Sequence, residues 1–186
     1  MPSSPPSSAR APWLRPVRAH QQLLWWVWTL TVLVGVAAAF FGPALARTAG
    51  RWPAPLDDTY IYFGFARSWA LGHPMAWQPD GGYSSGCTSP LYPLLLAPAY
   101  ALGFSGTRLG AFAAVLALVC LIDLCRSMRQ VLDGRPASFA APLLVVAIPL
   151  LDWSWWSGME TALLGALLGR ALWAASRARR AAPSRR

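Results

Sequence analysis

The run LLWWVWTLTVLVGVAAAFFGPAL, from Leu23 to Leu45, contains no charged residue. A helix needs roughly 20 mostly apolar residues to cross the hydrocarbon of a bilayer, so this run is long enough to span. Trp25, Trp26 and Trp28 stand at its basic end, where indole rings settle at the membrane–water boundary. A signal peptide would have a shorter apolar core closed by a small-residue cleavage site. The run therefore reads as an uncleaved spanning helix whose amino end is cytoplasmic.

Composition supports a membrane fold along the rest of the chain. Of its 186 residues 55% are hydrophobic and only 12% charged, and eleven are tryptophan. The net charge of +9 raises the question of nucleic acid. The arginines, however, sit at the two chain ends and in short loops beside apolar runs, where the positive-inside rule places them, so no nucleic-acid partner is expected. Three cysteines cannot form a closed disulfide framework. Cys120 and Cys125 read as small packed hydrophobes, and Cys87 is alone in a polar loop with no zinc-type spacing around it.

Punctuation along the chain gives an organisation: a disordered basic cytoplasmic tail at 1–22, the first transmembrane helix at 23–45, an external loop at 46–89, a transmembrane helical region at 90–175 and a basic cytoplasmic tail at 176–186. The spacing in the loop predicts a short interfacial helix at 58–71. Asp58 suits its N-cap, Gly72 a left-handed C-cap, and Pro74 prevents continuation. Ile61, Phe65 and Trp69 recur at helical spacing and give this helix an apolar side against the bilayer surface. The expected class is all-α, a multi-spanning membrane helical bundle of about four to five spans.

Topology turns on the stretch Leu91 to Gly103, at about 13 residues too short to span untilted. Arginines 126, 129 and 135 mark the loop after Leu109–Cys125 as cytoplasmic, and Arg177, Arg179, Arg180, Arg185 and Arg186 mark the carboxyl end likewise. Both marks are met if 91–103 is re-entrant or interfacial, 137–151 returns outward and 161–175 goes back inside. Glu160 then lies outside with Asp57 and Asp58. A tight hairpin at Gly103–Arg108 is the alternative, and it places Glu160 inside.

Seven acidic residues are thinly spread, yet two are adjacent, Asp57 and Asp58. At the start of a helix one carboxylate can take the free amides of the first turn. The other can face a cleft, as a general base or as a hard oxygen ligand for a divalent cation. Capping with a solvated neighbour explains the pair equally well. Glu160 in WSWWSGMET fits a capping box with Ser157 at the cap, and Thr88 and Ser89 before Pro90 read first as a helix start. Arg67 can bind a phosphate through its guanidinium fork or snorkel toward anionic headgroups. Asp123 and Arg170 are the main intramembrane charges, too few to mark a transport pathway. Small residues in Gly110–Cys125 and Leu163–Leu172 suggest helix association. Neither His20 nor His73 has metal-site spacing, and no P-loop, dinucleotide fingerprint or nucleophile elbow occurs.

The segment DDTYIYFGFARSWALGHPMAWQPDGGYSSGCTSPLYPLLLAP together with the later SGMETALL resembles the amino-terminal part of GT-C class glycosyltransferases. The likeness is greatest to bacterial proteins similar to mycobacterial terminal arabinofuranosyltransferases and protein mannosyltransferases. The family's acidic pair and aromatic helix correspond to Asp57, Asp58, Tyr60, Ile61, Tyr62 and Phe63. Its Thr-Ser-Pro-Leu segment corresponds to Thr88–Leu91, and its Gly-x-Glu-Thr segment to Gly158, Glu160 and Thr161. Gly64 stands where the family commonly has arginine, Ser68 where asparagine is frequent, and Cys87 where tyrosine is usual. The family also continues through many more spans than this chain holds.

The resemblance implies an integral membrane enzyme at the outer face of the cytoplasmic membrane. Such an enzyme passes a sugar from a polyprenyl-phosphate donor to an acceptor hydroxyl by inverting displacement. Asp57 would be the base, Asp58 its orienting partner or a ligand for a divalent cation, and Arg67, Thr88, Ser89 and Glu160 would contact substrate. A different class remains open: a non-catalytic small membrane protein, or a truncated relative, that packs against a larger membrane partner.

Overall fold

The computed structural model describes residues 14–181, and among them every regular element is helical. The order is α1 (Leu14–Arg47), α2 (Asp58–Ala70), α3 (Leu91–Ala101), α4 (Thr107–Val131), a 3-10 turn (Pro136–Ala140), α5 (Ala141–Val146), α6 (Pro149–Trp156) and α7 (Thr161–Ala181). Of the expected tail at 1–22, residues 1–13 lie outside the described part, and from Leu14 the backbone is helical, continuous with the apolar run. Extending an existing helix needs no new nucleus, which is the physical reason the span reaches back past Leu23. At the other end α7 runs on to Ala181, with Arg179 and Arg180 in its last turn, where the helix dipole favours cations.

Among the described residues two helices are long and apolar enough to cross a membrane, Ala19–Arg47 and Thr107–Val131, and a third is reached if a bent pair counts as one span. The expected four to five spans are therefore two to three by length and composition. The expected helix at 137–151 is instead that bent pair, Pro136–Val146 and Pro149–Trp156, with a 76° angle between its halves. Pro149 causes the break: it disfavours helical geometry in the residue before it, and Ile148 is extended at φ −101°, ψ 108°. α3 is a short apolar helix of 11 residues, in keeping with a segment that does not span.

Each long helix divides into an inward stripe and an outward face. On α1, Trp25, Thr29, Leu33 and Phe41 are buried at multiples of four, while Leu23, Val27, Leu30 and Val34 are exposed on the other side. α4 buries Leu109, Ala113, Ala117, Leu121 and Cys125 and exposes Val115 and Val119. α7 buries the small residues Ala162, Gly165, Ala166 and Gly169 and exposes Leu164, Leu168 and Leu172. Apolar faces of this extent suit hydrocarbon and not water. Gly169 lets α7 approach α4 closely, since a Cβ there would stand 2.8 Å from Leu124 Cδ1. Asp123 on α4 and Arg170 on α7 form a two-point ion pair across the same seam, so each charge is neutralised by the other.

The helices share two ends. At one, Trp25 of α1 stacks with Arg129 of α4 and donates to the Ser138 carbonyl, and Arg180 of α7 pairs with Asp133. At the other, Phe41 of α1 contacts Trp52 and Trp156, and the start of α4 packs with α2 and α3 around Phe65, Leu96 and Leu109. α1 thus runs from the basic end to the far end, and α4 and α7 run back. The bent pair begins beside Trp25 and finishes beside Phe41.

Candidate functional site

The far end holds the polar residues singled out by the sequence. α2 begins at Asp58, with Asp57 at the N-cap, one residue earlier than expected, its Oδ1 accepting from the Asp58 amide at 3.0 Å. The helix ends at Ala70, with Leu71 at the C-cap, and Gly72 takes the left-handed conformation (φ +84°) that releases the chain into the loop. The apolar side is centred elsewhere than the sequence suggested: Tyr62, Phe63, Phe65 and Ala66 are buried, whereas Ile61 and Trp69 are only half-buried.

Three hydrogen bonds draw distant segments together here. Thr59 Oγ1, two residues past Asp57, donates to the Ser157 carbonyl at 3.0 Å. Tyr92 Oη donates to the Gly158 carbonyl at 2.9 Å, and the Tyr62 and Thr88 hydroxyls bond each other at 2.8 Å. The Tyr62 and Tyr92 rings meet edge to face with centroids 5.4 Å apart. The acidic pair, the Thr88–Ser89 loop and the Gly158–Glu160 turn are thereby joined at one end of the bundle, through phenols and hydroxyls that would be costly to bury unpaired.

Capping does not account for the loop hydroxyls or for Glu160. α3 starts at Leu91 with no side-chain cap, and Thr88 is bonded to Tyr62 instead. Ser157 closes α6, its Oγ donating to the Ser154 carbonyl, so the expected capping box with Glu160 at its third position is not formed. α7 starts at Thr161, whose hydroxyl also bonds Ser154. Glu160 lies just before it, and its Oε2 is buried with no hydrogen-bond partner among the described residues. A cavity of about 250 Å³ adjoins it, lined by Ser89, Leu91, Glu160, Leu163, Leu164 and Leu167. A carboxylate oxygen left unpaired against an apolar-walled cavity is the feature that departs furthest from a merely structural role.

The surroundings are dry enough to change acidities. Burial pushes the Tyr62 phenol up to about 12; the Thr88 hydroxyl opposes the shift and the Glu160 carboxylate adds to it. Burial also raises the Cys87 thiol, against the Ser89 amide and with help from Glu160. The cysteine that looked isolated in a polar loop is buried in the same cluster as Tyr62 and Tyr92.

Asp57, Asp58 and Arg67 are all exposed, and none lines the cavity beside Glu160. Among the described residues no three His, Cys, Asp or Glu side chains come together as metal ligands, so a divalent cation would have to take its remaining ligands from substrate or water. Tyr92 is the site residue that sequence reasoning missed. Its signal was present, because a phenol within the apolar run LYPLLLAP needs a partner for its hydroxyl.

Two of the residues that set this chain apart from the family pattern have a common neighbour. A Cβ on Gly64 would lie 2.7 Å from Trp77 Cδ1, and Ser68 Oγ donates to the Trp77 carbonyl at 3.3 Å. The loop tryptophan lies across α2 where a longer side chain at 64 would stand.

No protein-family model, no curated protein and no solved structure matches the chain.

Proposed function

We propose that the chain is, or forms part of, a membrane glycosyltransferase of the GT-C kind, acting at the outer face of the cytoplasmic membrane. It would move a sugar from a polyprenyl-phosphate donor to an acceptor hydroxyl. One observation carries this reading: the three segments that resemble the family are far apart in sequence and are tied to one another by the Thr59–Ser157, Tyr62–Thr88 and Tyr92–Gly158 hydrogen bonds. They meet at the end of the bundle opposite the arginine-rich one, the end that the positive-inside rule puts outside.

In this reading Asp57, with Asp58 beside it, removes the acceptor proton where water meets lipid. Glu160, Thr88 and Ser89 contact the sugar or the phosphate beside the cavity, and Arg67 pairs with the phosphate of the carrier. Four traverses are implied, with α7 and the bent pair each counted as one. Holding both reactants at the boundary supplies most of the acceleration, and a placed carboxylate adds about 10²- to 10⁴-fold.

The test is transfer from a polyprenyl-phosphate-linked radiolabelled sugar by membranes containing the chain. Transfer is expected, with Asp57→Asn and Glu160→Gln inserting normally but losing roughly a hundredfold or more. Unchanged turnover in Asp57→Asn removes that residue from the mechanism.

A second reading has its own observation. Asp57 and Asp58 are exposed and stand outside the cavity beside Glu160, which suits a non-catalytic membrane subunit that presents them to a larger partner. It predicts no transfer by the purified chain and co-purification of a membrane protein.

A further inference from the structure

A second cavity lies at the opposite end from Glu160. About 800 Å³ in volume, it is walled by Trp25 and Trp26 of α1, by Arg126 and Arg129 of α4, and by Trp173, Arg177 and Arg180 of α7, with Asp133 in the loop after α4. Four guanidinium groups face one carboxylate. All seven acidic residues of the chain lie between Asp57 and Glu160, so the segments outside the described part bring no further acidic side chain to balance them.

The arginines are not equivalent. Arg180 is committed, bonding the Asp133 carboxylate and the Val131 carbonyl at the end of α4. Arg177 lies over the Trp173 ring at 5.5 Å, and Arg129 over Trp25 at 4.6 Å, contacts that hold the planes in place and leave their N–H groups free for hydrogen bonding. Arg129 Nη1 is buried with no hydrogen-bond partner among the described residues. A desolvated guanidinium nitrogen without an acceptor is costly, and an anion with oxygens to share would supply one. Positive-inside placement explains why arginines are at this end. It does not explain why one is sunk against tryptophan with a donor unsatisfied.

The occupant follows from the neighbours of the cavity. Leu23, Leu24 and Val27 are exposed beside its α1 wall and Leu172 beside its α7 wall, so apolar surface adjoins the charge. Trp25 and Trp26 lie in the basic-end part of the first span, and indole rings favour the level at which headgroups begin. We infer that this cleft is a binding site for the phosphate of an anionic phospholipid, with Arg129 and Arg177 as its principal donors, Arg126 at its rim, and the acyl chains along the exposed leucines. The inference is independent of the glycosyltransferase reading.

The experiment uses the full chain in neutral detergent, supplied with equal amounts of phosphatidylglycerol and phosphatidylcholine, with retained lipid counted by native mass spectrometry. Preferential retention of phosphatidylglycerol is expected, reduced roughly tenfold or more by Arg129→Gln and by Arg177→Gln. Arg179→Gln is the control: it removes the same charge from the same helix without lining the cleft, and retention should not change. Equal retention of both lipids overturns the site, and so does an equal loss in all three variants, which would mean general surface attraction. Inorganic phosphate is the second arm. If it raises the melting temperature while no lipid preference exists, the lipid assignment is overturned in favour of a soluble phosphate. Circular dichroism reports whether Arg129→Gln folds, and exposed Arg177 keeps the test valid if it does not.

Discussion

Thr59 Oγ1 donates to the Ser157 carbonyl at 3.0 Å, joining residues 98 positions apart and fixing the start of the aromatic helix to the turn before Glu160. The contact is tight as well as polar. Gly158 has φ +87°, and a Cβ there would stand 2.8 Å from Thr59 Cγ2. Thr59→Val should cost about 1–3 kcal/mol by leaving a buried carbonyl unpaired. Gly158→Ala should cost at least as much, because strain in the left-handed region adds to the clash. Thermal unfolding in detergent measures both, and a melting temperature unchanged in either variant would mean that the two segments are not joined there.

Gly64 and Trp77 are expected to be coupled. Gly64→Ala pushes the indole off α2 and should destabilise by roughly 1–3 kcal/mol. In a Trp77→Ala background the same change should be close to neutral, because the obstructing ring is gone. A double-mutant cycle with additive effects would contradict the packing.

Tyr62 makes stability depend on pH at the alkaline end. Its folded phenol titrates near 12, above the ordinary value of about 10, so between these values the native state holds a proton that the unfolded chain has released. The contribution is full below about pH 10 and falls away as pH rises toward 12. Tyrosinate absorbance should show a late-titrating phenol that Tyr62→Phe removes, and the variant should lose less stability over that interval than the parent.

The Asp123–Arg170 pair gives an asymmetric expectation. Removing one member leaves the other charge unpaired on an otherwise apolar seam, whereas removing both leaves none. Asp123→Asn should therefore lower the melting temperature more than Asp123→Asn combined with Arg170→Gln. The reverse order would show that an unpaired Arg170 carries no penalty at this seam.

Sidedness can be measured directly. In a chain with its three cysteines replaced by alanine, single cysteines near Asp58, Gly106 and Glu160 should react with an impermeant reagent from outside. One near Arg129 should react only from inside. Labelling at Gly106 from inside would restore the hairpin topology and separate Glu160 from the acidic pair.

Much of the architecture was legible because it rests on local signals. Leu23–Leu45 announced a spanning helix by length and apolarity, Gly72 and Pro74 bounded α2, and the short run after Pro90 made a short helix. The caps were less legible. Asp, Ser and Thr next to a helix start compete for the same amides, and Asp57 took the place expected of Asp58 while Ser157 went to the preceding helix. The bend at Ile148 was also missed, although Pro149 was visible, because a proline reads equally as a kink or as the first residue of a new helix.

Sequence alone settled that this chain is helical and apolar, with its arginines gathered beside the spans, since hydropathy and charge act residue by residue. Only the folded arrangement decided that Tyr92 reaches Gly158, that Glu160 keeps an unpaired oxygen beside a cavity, and that Trp25 lies under Arg129. Those facts depend on which helix faces bring remote side chains within about 3–5 Å of each other, and no short stretch of residues encodes that distance.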